Sequence, residues 1–372
     1  MTQSTTTVAP REERRKAFPH DRWMESAGIP IHRGYYIEDL RTVEVGWWKD
    51  RECHAAFIQL NGLEGVSEVR VTEIPPGETL RPHRIPVDEA VYVLQGRGLT
   101  TVWQEGSSLK KTFEWQPRSM FLIPRGFSHQ FSNTTGDRAV RLMHFNYLPI
   151  VMSAVLDIQQ YEPPKNEALL TSDLYAEAKA VTDEYAFGGQ RHYWYGNFFP
   201  DMAAWDKLEA YQDRGAGGHV VYVQFAGSEM SCHMSMFPAR TYKKAHRHGP
   251  GRAIVIPGGV GYSILWEEGK EKIVVPWHEA SLFTPPNKWF HQHFNVGATP
   301  ARYLALHPLP QFSGHAEKVE DRARDQIEYP DEDRWIREKF EGELAKQGIT
   351  TLMPAEAYHD RNYQWAYSGG KG

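Results

Sequence analysis

The chain has 372 residues, of which 41% are hydrophobic and 13% aromatic, and this length predicts two domains with sizeable cores. A formal net charge of -5 argues against a nucleic-acid-binding protein, and no apolar run reaches the roughly 18 residues of a membrane helix. Two cysteines in a chain this long are not a disulfide framework, and the polar N-terminus has no apolar core of a secretory signal, so we expect a cytoplasmic protein.

In chain order, the pattern predicts an N-terminal arm over residues 1–40 and a β domain over 41–150. Short runs rich in β-branched and aromatic residues, such as "SEVRVTEI" and "EAVYVLQG", are separated by Gly, Pro or Asn. Two helical segments, "MSAVLDIQQYEPP" and "SDLYAEAKAVTDEYA", fall in a predicted helical linker over 151–195. A second β domain over 196–312 repeats the strand pattern, and a helical extension over 313–372 is broken at Pro330.

The two β domains are copies of one unit. "AVYVLQGRGLTTVWQEG" at 90–106 matches "AIVIPGGVGYSILWEEG" at 253–269, an offset of 163 residues. His83 and His246 have the same offset, and so do His144 and His307. One offset over more than sixty positions predicts a tandem duplication, so each half should have the same fold.

Each half also carries two spaced motifs. One is Gly, five residues, His-x-His, three or four residues, Glu, six residues and Gly; the other is Pro-x-Gly-x-x-His-x-x-x-Asn. The first half fits them at Gly77, His83, Glu89, Gly96, Pro124, Gly126, His129 and Asn133. The second half fits them at His246, His248, Gly259, Pro286, His291 and Asn295. In these residues each half resembles the cupin family, and the chain resembles a bicupin. The resemblance implies an all-β protein of two tandem double-stranded β-helix (jelly-roll) barrels.

The resemblance also implies a metal at the centre of a barrel. In the second half its ligands would be His246, His248 and His291. On a strand, residues two apart point to the same face, so His246 and His248 would both face the barrel interior. Three neutral imidazoles suit Fe(II), with Ni, Cu, Zn or Mn as alternatives, and they leave coordination positions open. His293 would also face inward, as a fourth ligand or a catalytic donor. The alternative is that these histidines are loop and core residues without a metal.

Arg252 stands where the first motif usually has a metal-binding Glu, and Lys288 replaces the Gly of the second motif. A site without the Glu keeps the full charge of a divalent ion, which favours an anionic substrate. Arg252 would pair with a substrate carboxylate, or else form a salt bridge at the rim. Cupins with three His and no Glu include ring-cleaving dioxygenases that resemble gentisate, salicylate and 1-hydroxy-2-naphthoate dioxygenases, and the gentisate type usually carries its metal in the first half.

The first half departs from the motif at Ile85, which stands in the place of the second His. His83, Glu89 and His129 could form a set of two His and one carboxylate. We expect instead that this barrel has a degenerate metal site.

The sequence therefore predicts a metal-dependent enzyme, most simply an Fe(II) dioxygenase that acts on a small aromatic or keto acid with dioxygen. The alternatives are a metal-dependent lyase, decarboxylase or isomerase, and a non-catalytic bicupin that binds a small molecule. We expect no membrane or nucleic-acid partner, and a homo-oligomer, because barrels with open edges often pair with another chain.

Overall fold

A computed structural model describes residues 18–155, 157–158, 161–163, 166–176, 178–184, 190–203, 209–210, 214–314 and 323–366. The helices of this part of the chain are short, and their bounds are α1 Pro19–Ser26, α2 Leu148–Ala154, α3 Ala168–Thr171 and α4 Arg334–Ala345. Single 3-10 turns lie at Asp173–Tyr175, Pro310–Phe312, Tyr329–Asp331 and Ala355–Tyr358. None of the helices in the described segments is long and apolar enough to cross a membrane.

The first half of the chain is built from strands. They are β1 Ile31–Gly34, β2 Tyr36–Ile37, β3 Gly46–Trp48, β4 Cys53–Leu60, β5 Glu68–Ile74, β6 His83–Arg84, β7 Glu89–Gln95, β8 Gly98–Trp103, β9 Lys110–Trp115, β10 Met120–Ile123, β11 Ser128–Asn133 and β12 Val140–Asn146.

The second half is also built from strands. They are β13 Lys179–Glu184, β14 Gln190–Tyr195, β15 Phe198–Phe199, β16 Glu209–Ala210, β17 His219–Gln224, β18 Ser231–Phe237, β19 Ala245–His246, β20 Ala253–Gly258, β21 Gly261–Trp266, β22 Ile273–Trp277, β23 Leu282–Phe283, β24 Phe290–Asn295, β25 Ala301–Leu306 and β26 Gln326–Ile327.

Each half forms a barrel from one large and one small sheet. In the first half the described strands run β1-β4-β5-β12-β7-β10-β15 in the large sheet and β6-β11-β8-β9 in the small one. In the second half the orders are β13-β14-β17-β18-β25-β20-β23-β2 and β22-β21-β24-β19-β26. Strands that match in the sequence repeat take matching places, which is the structural form of the duplication.

The two barrels exchange short strands. β2, from the N-terminal arm, pairs with β23 at the edge of the second barrel's large sheet. β15, which follows the linker, pairs with β10 at the equivalent edge of the first barrel. Thus β2, in the predicted arm before residue 40, belongs to the second barrel, and β15, after the predicted linker end at residue 195, belongs to the first.

The large sheets of the two barrels pack against each other over a shared apolar core. Leu122, Met143 and Phe145 of the first barrel lie in one buried cluster with Met234 and Leu304 of the second. Burial of this shared apolar surface stabilises the contact between the two barrels. A separate cluster buries one face of α4 on the small sheet of the second barrel, through Ile336, Phe340 and Leu344.

The motif asparagines have a structural role that the duplication preserves. The amide of Asn133 donates to the carbonyls of Ile74, Pro75 and Arg138. The amide of Asn295 donates in the same way to Phe237, Pro238 and Thr299. Each asparagine thus joins the end of one strand to two loops by satisfying backbone carbonyls that the sheets leave unpaired.

The helical predictions outside the barrels are partly wrong. "SDLYAEAKAVTDEYA" gives a 3-10 turn at Asp173–Tyr175, but from Lys179 onward it is strand, with residues 185–189 outside the described part. β13 and β14 form a hairpin whose second strand pairs with β17, so pairing to a sheet overrides the helix propensity of Ala, Glu and Lys. In the C-terminal extension, β26 lies where the pattern predicted helix before Pro330. The helix after Pro330 is present as α4.

Candidate metal centre

Three histidines of the second barrel meet at one point. His246 and His291 are direct partners in the antiparallel pair β19–β24, and their ring centroids are 4.1 Å apart. The ring of His248 lies 4.6 Å from that of His291. One nitrogen of each imidazole lies within 4.8 Å of the other two, and all three residues are buried. The structure therefore brings together the three residues predicted as ligands.

The alternation of β24 explains which side chains face this point. Phe290 and Phe294 lie on the outer side of the small sheet, in the cluster that α4 covers. His291 and His293 alternate with them and so face the barrel interior. Trp266 stacks on Phe290 in the same outer cluster, so these two aromatic residues cover the outside of the sheet instead of lining the site.

A tight turn returns the chain from His248 to the next strand. Gly251 has a φ of +86°, and a Cβ there would come within 2.3 Å of the Val66 side chain in the first barrel. The backbone N–H of Gly251 donates to the carbonyl of Gly62, and the hydroxyl of Ser67 donates to the carbonyl of Gly251. The ligand-bearing turn is therefore anchored on the first barrel, and a side chain at residue 251 would push the two apart.

The imidazoles are suited to hold a divalent ion. Nδ1 of His248 lies 2.8 Å from the carbonyl oxygen of Gly249, so an Nδ1–H there donates and leaves the Nε2 lone pair for a metal. Nδ1 of His246 is buried and has no hydrogen-bond partner among the described residues. Burial, followed by nearby charges, lowers the pKa of both His246 and His291 well below its ordinary value. The rings are therefore neutral at pH 7, as metal ligands must be.

Two arginines make the surroundings of the imidazoles positive. Arg252 is 8% exposed, and its charge contributes to the low pKa of His291, after burial and His293. The structure thus has Arg252 close to the candidate ligands and away from the protein surface. Arg214 is the largest contributor after burial to the low pKa of His246. No motif or spacing singles out Arg214, so its place beside the imidazoles could not be predicted from the sequence.

His293 lies beside the three-His group. Its ring centroid is 5.5 Å from that of His291 and 6.4 Å from that of His246. Its Nδ1 lies 2.8 Å from the hydroxyl of Ser263, and burial lowers its pKa to about 3. It is not part of the group whose ligand atoms come within 4.8 Å of one another. A role for His293 as fourth ligand or catalytic donor stays a prediction.

The first barrel has the same backbone but different chemistry. His83 and His129 are direct partners across β6 and β11, as His246 and His291 are across β19 and β24. Glu89 does not join them, because its carboxylate accepts from Arg70, His144 and Asn146. His83, Glu89 and His129 are accordingly not among the described residues whose ligand atoms converge as a candidate metal group.

Comparison with known proteins agrees with this architecture. Residues 70–146 match the Cupin domain family. Both halves are cupin barrels. The fold class predicted from the sequence is confirmed, although only the first barrel matches the family directly. No curated protein matches the chain in sequence.

Several solved structures are similar to the chain at low sequence identity. The coconut allergen cocosin is 11% identical and has a TM-score of 0.50, over 85% of this chain and 97% of that one. An 11S globulin from Wrightia tinctoria is 10% identical, with a TM-score of 0.49 over 73% and 82% of the two chains. The oxalate decarboxylase of Lactobacillus farciminis is 11% identical, with a TM-score of 0.48 over 75% and 87%. At this identity the cocosin structure supports the two-barrel fold and not a shared activity.

Proposed function

We propose that the protein is a non-haem Fe(II) dioxygenase that acts on a small aromatic or keto acid in the second barrel. The observation that carries the proposal is the buried group of His246, His248 and His291, with one nitrogen of each within 4.8 Å of the others. Three ligands from protein leave positions open for substrate and a small co-substrate, which a purely structural site does not need.

The ligand set is neutral, and this property bears on the substrate. Three imidazoles neutralise none of the charge of a divalent ion, because Arg252 replaces the carboxylate of the family motif. An Fe(II) ion held there would supply activation of dioxygen and a positive charge for an anionic chelating substrate. The chain's own residues add to that attraction, since Arg252 and Arg214 both lower the pKa of candidate ligands. An acid with a second oxygen donor fits these charges best.

Arg252 would orient the substrate. A guanidinium presents a planar fork of donors that matches a carboxylate, and its burial strengthens the pairing. The residue lies between Gly251 of the anchored turn and the first residue of β20, Ala253, so its backbone is fixed relative to the candidate ligands. Fixing the acid group would hold the reacting part of the substrate beside the open positions, and proximity would supply much of the rate enhancement.

Oxygen uptake tests the proposal. The full chain, loaded anaerobically with Fe(II), is supplied with a panel of aromatic hydroxy acids and keto acids while dioxygen is recorded. A dioxygenase puts both oxygen atoms into the substrate, so we expect about one dioxygen consumed per substrate, without an added reductant. The matched control is His246→Ala, loaded in the same way. Turnover of an acid without dioxygen would instead indicate a metal-dependent lyase, decarboxylase or isomerase, and binding without turnover a non-catalytic bicupin.

A further inference from the structure

The first barrel contains a cavity at the position equivalent to the candidate metal centre. The cavity has a volume of about 40 Å³ and is open to solvent at its mouth. His83 and His129, the equivalents of His246 and His291, line it together with His144 and Arg51. Trp48 and Phe131 supply apolar wall. A mixed cavity with a few convergent polar groups is typical of a small-molecule site.

The acidic groups beside the cavity are already bound to donors. Arg70 forms ion pairs with both Glu68 and Glu89. Glu68 also accepts from His20 at 2.7 Å, and Glu89 is paired with Nδ1 of His144 at 2.7 Å. These contacts hold the pKa of both carboxyl groups below the ordinary value despite their burial. The carboxylates therefore stay ionised and turned to these donors.

Arg51 has no such partner in the described part of the chain. Its guanidinium lies over the ring of Trp48, 5.0 Å from the centroid, and no carboxylate of a described residue is within 4 Å of it. Burial and the charge of Arg70 lower its pKa to about 10, so it is still protonated at pH 7. A partly buried cation that lines a cavity without a nearby carboxylate favours an anionic ligand there.

The imidazoles add unused hydrogen-bonding atoms to the same cavity. Nε2 of His83, Nδ1 of His129 and Nε2 of His144 are buried and have no hydrogen-bond partner among the residues that the structure describes. Burial lowers the pKa of His129 to about 3, so this ring is neutral and can present one N–H. The ring centroids of His83 and His129 are 5.9 Å apart, against 4.1 Å for His246 and His291. The wider spacing and the adjacent Arg51 both disfavour a cation here.

We propose that the first barrel binds a small aliphatic carboxylate in this cavity. The guanidinium of Arg51 pairs with the carboxylate, N–H groups of His83 and His129 donate to it, and the short alkyl part lies against Phe131. The duplication thus produced one barrel for a cation and one for an anion from the same pair of cross-strand positions.

Calorimetric titration of the full chain tests this assignment. The protein is first stripped of metal with a chelator, and the Arg252→Met background excludes the second barrel as the anion site. Butyrate and acetate are the probes, with sulfate as a non-carboxylate anion. We expect one butyrate per chain, bound more tightly than sulfate. Arg51→Met should weaken butyrate binding about 10- to 100-fold, the effect of one charge-assisted hydrogen bond. Arg138→Met, which removes an exposed arginine of the same barrel, should leave it unchanged.

A second variant guards against loss of folding. Arg51→Lys keeps the positive charge but lacks the planar set of guanidinium donors. We therefore expect a folded protein whose affinity for butyrate lies between those of the parent and Arg51→Met. Butyrate binding that survives both Arg51 variants would overturn the proposal, as would equal affinity for sulfate or no binding at all. A His83→Ala protein that loses half of its bound metal after reloading would also overturn it, because the cavity would then be a metal site.

Discussion

His246 and His291 face each other across the β19–β24 pair with ring centroids 4.1 Å apart, whereas the equivalent His83 and His129 are 5.9 Å apart. The backbone register is the same in both barrels. The difference lies in the neighbours: His248 adds a third imidazole to one pair, and Arg51 lines the cavity beside the other. Ile85, at the position of His248, is buried in a small apolar cluster with Val87 and Leu148. The two barrels therefore place different side chains around an equivalent pair of imidazoles.

Replacing Arg252 tests the acidic substrate. Arg252→Met should raise the KM for a carboxylated substrate about 10- to 100-fold and leave the metal content unchanged, because the guanidinium would bind substrate and not metal. Arg252→Glu should tighten metal binding, by adding a carboxylate ligand, and repel the anion. Steady-state kinetics and elemental analysis of the same preparations distinguish the two effects. A parent-like KM in Arg252→Met would mean that this arginine does not bind the substrate.

Glu332 should make stability depend on pH. Its carboxylate accepts hydrogen bonds from the hydroxyl of Tyr242 and from the side-chain amide of Gln292 on β24. Burial raises its pKa to about 7 from an ordinary 4.5. The folded state then holds the proton more tightly than the unfolded state. The contribution of Glu332 to the free energy of unfolding should fall as pH rises from about 4.5 to about 7, by roughly 2 to 3 kcal/mol.

Denaturant titrations at a series of pH values measure this effect as the difference between the parent and Glu332→Gln. Relative to the parent, the free energy of unfolding of Glu332→Gln should rise between pH 4.5 and 7 and stay constant above pH 7. Glu338→Gln, which removes a more exposed carboxylate from α4, is the matched control. The prediction would be refuted if the difference in free energy of unfolding between the parent and Glu332→Gln did not change between pH 4.5 and 7.

Loss of the Asn295 amide should destabilise the second barrel. Asn295→Ala removes three hydrogen bonds to backbone carbonyls, one of them buried, so we expect a loss of about 2–4 kcal/mol in the free energy of unfolding. Asn133→Ala should cost about as much, because the first barrel makes the equivalent contacts. Asn362→Ala, at an exposed position, is the control. A change below about 0.5 kcal/mol in both barrel variants would contradict the structural role.

A homo-oligomer remains a prediction for light scattering. The single chain has a mass of 42.7 kDa, and we expect a multiple of it at micromolar concentration. Trp47, on the edge strand β3, is 56% exposed, and such apolar edges favour pairing with another chain. From residue 31 onward the predicted N-terminal arm is paired within its own chain, through β1 and β2. A mass of one chain would contradict the prediction.

The sequence was informative where the chemistry depends on spacing. The repeat predicted two copies of one fold, and the motif spacing brought His246, His248 and His291 to one point. Sequence reasoning failed where a residue acts only through tertiary position. Arg51 and Arg214 lie outside any motif, and β2 and β15 are two-residue strands whose pairing no periodicity records. The segment after Lys179 is rich in helix-forming residues, but it folds as strand β13 because it pairs with β14 at the edge of a sheet.

Metal content tests the central claim most directly. The parent, His246→Ala, His291→Ala and His83→Ala proteins are purified, loaded with Fe(II) under the same anaerobic conditions, desalted and analysed for metal per chain. We predict one metal in the parent and in His83→Ala, and less than about a tenth of that in the other two. Stoichiometric metal in His246→Ala and His291→Ala would contradict a metal centre in the second barrel.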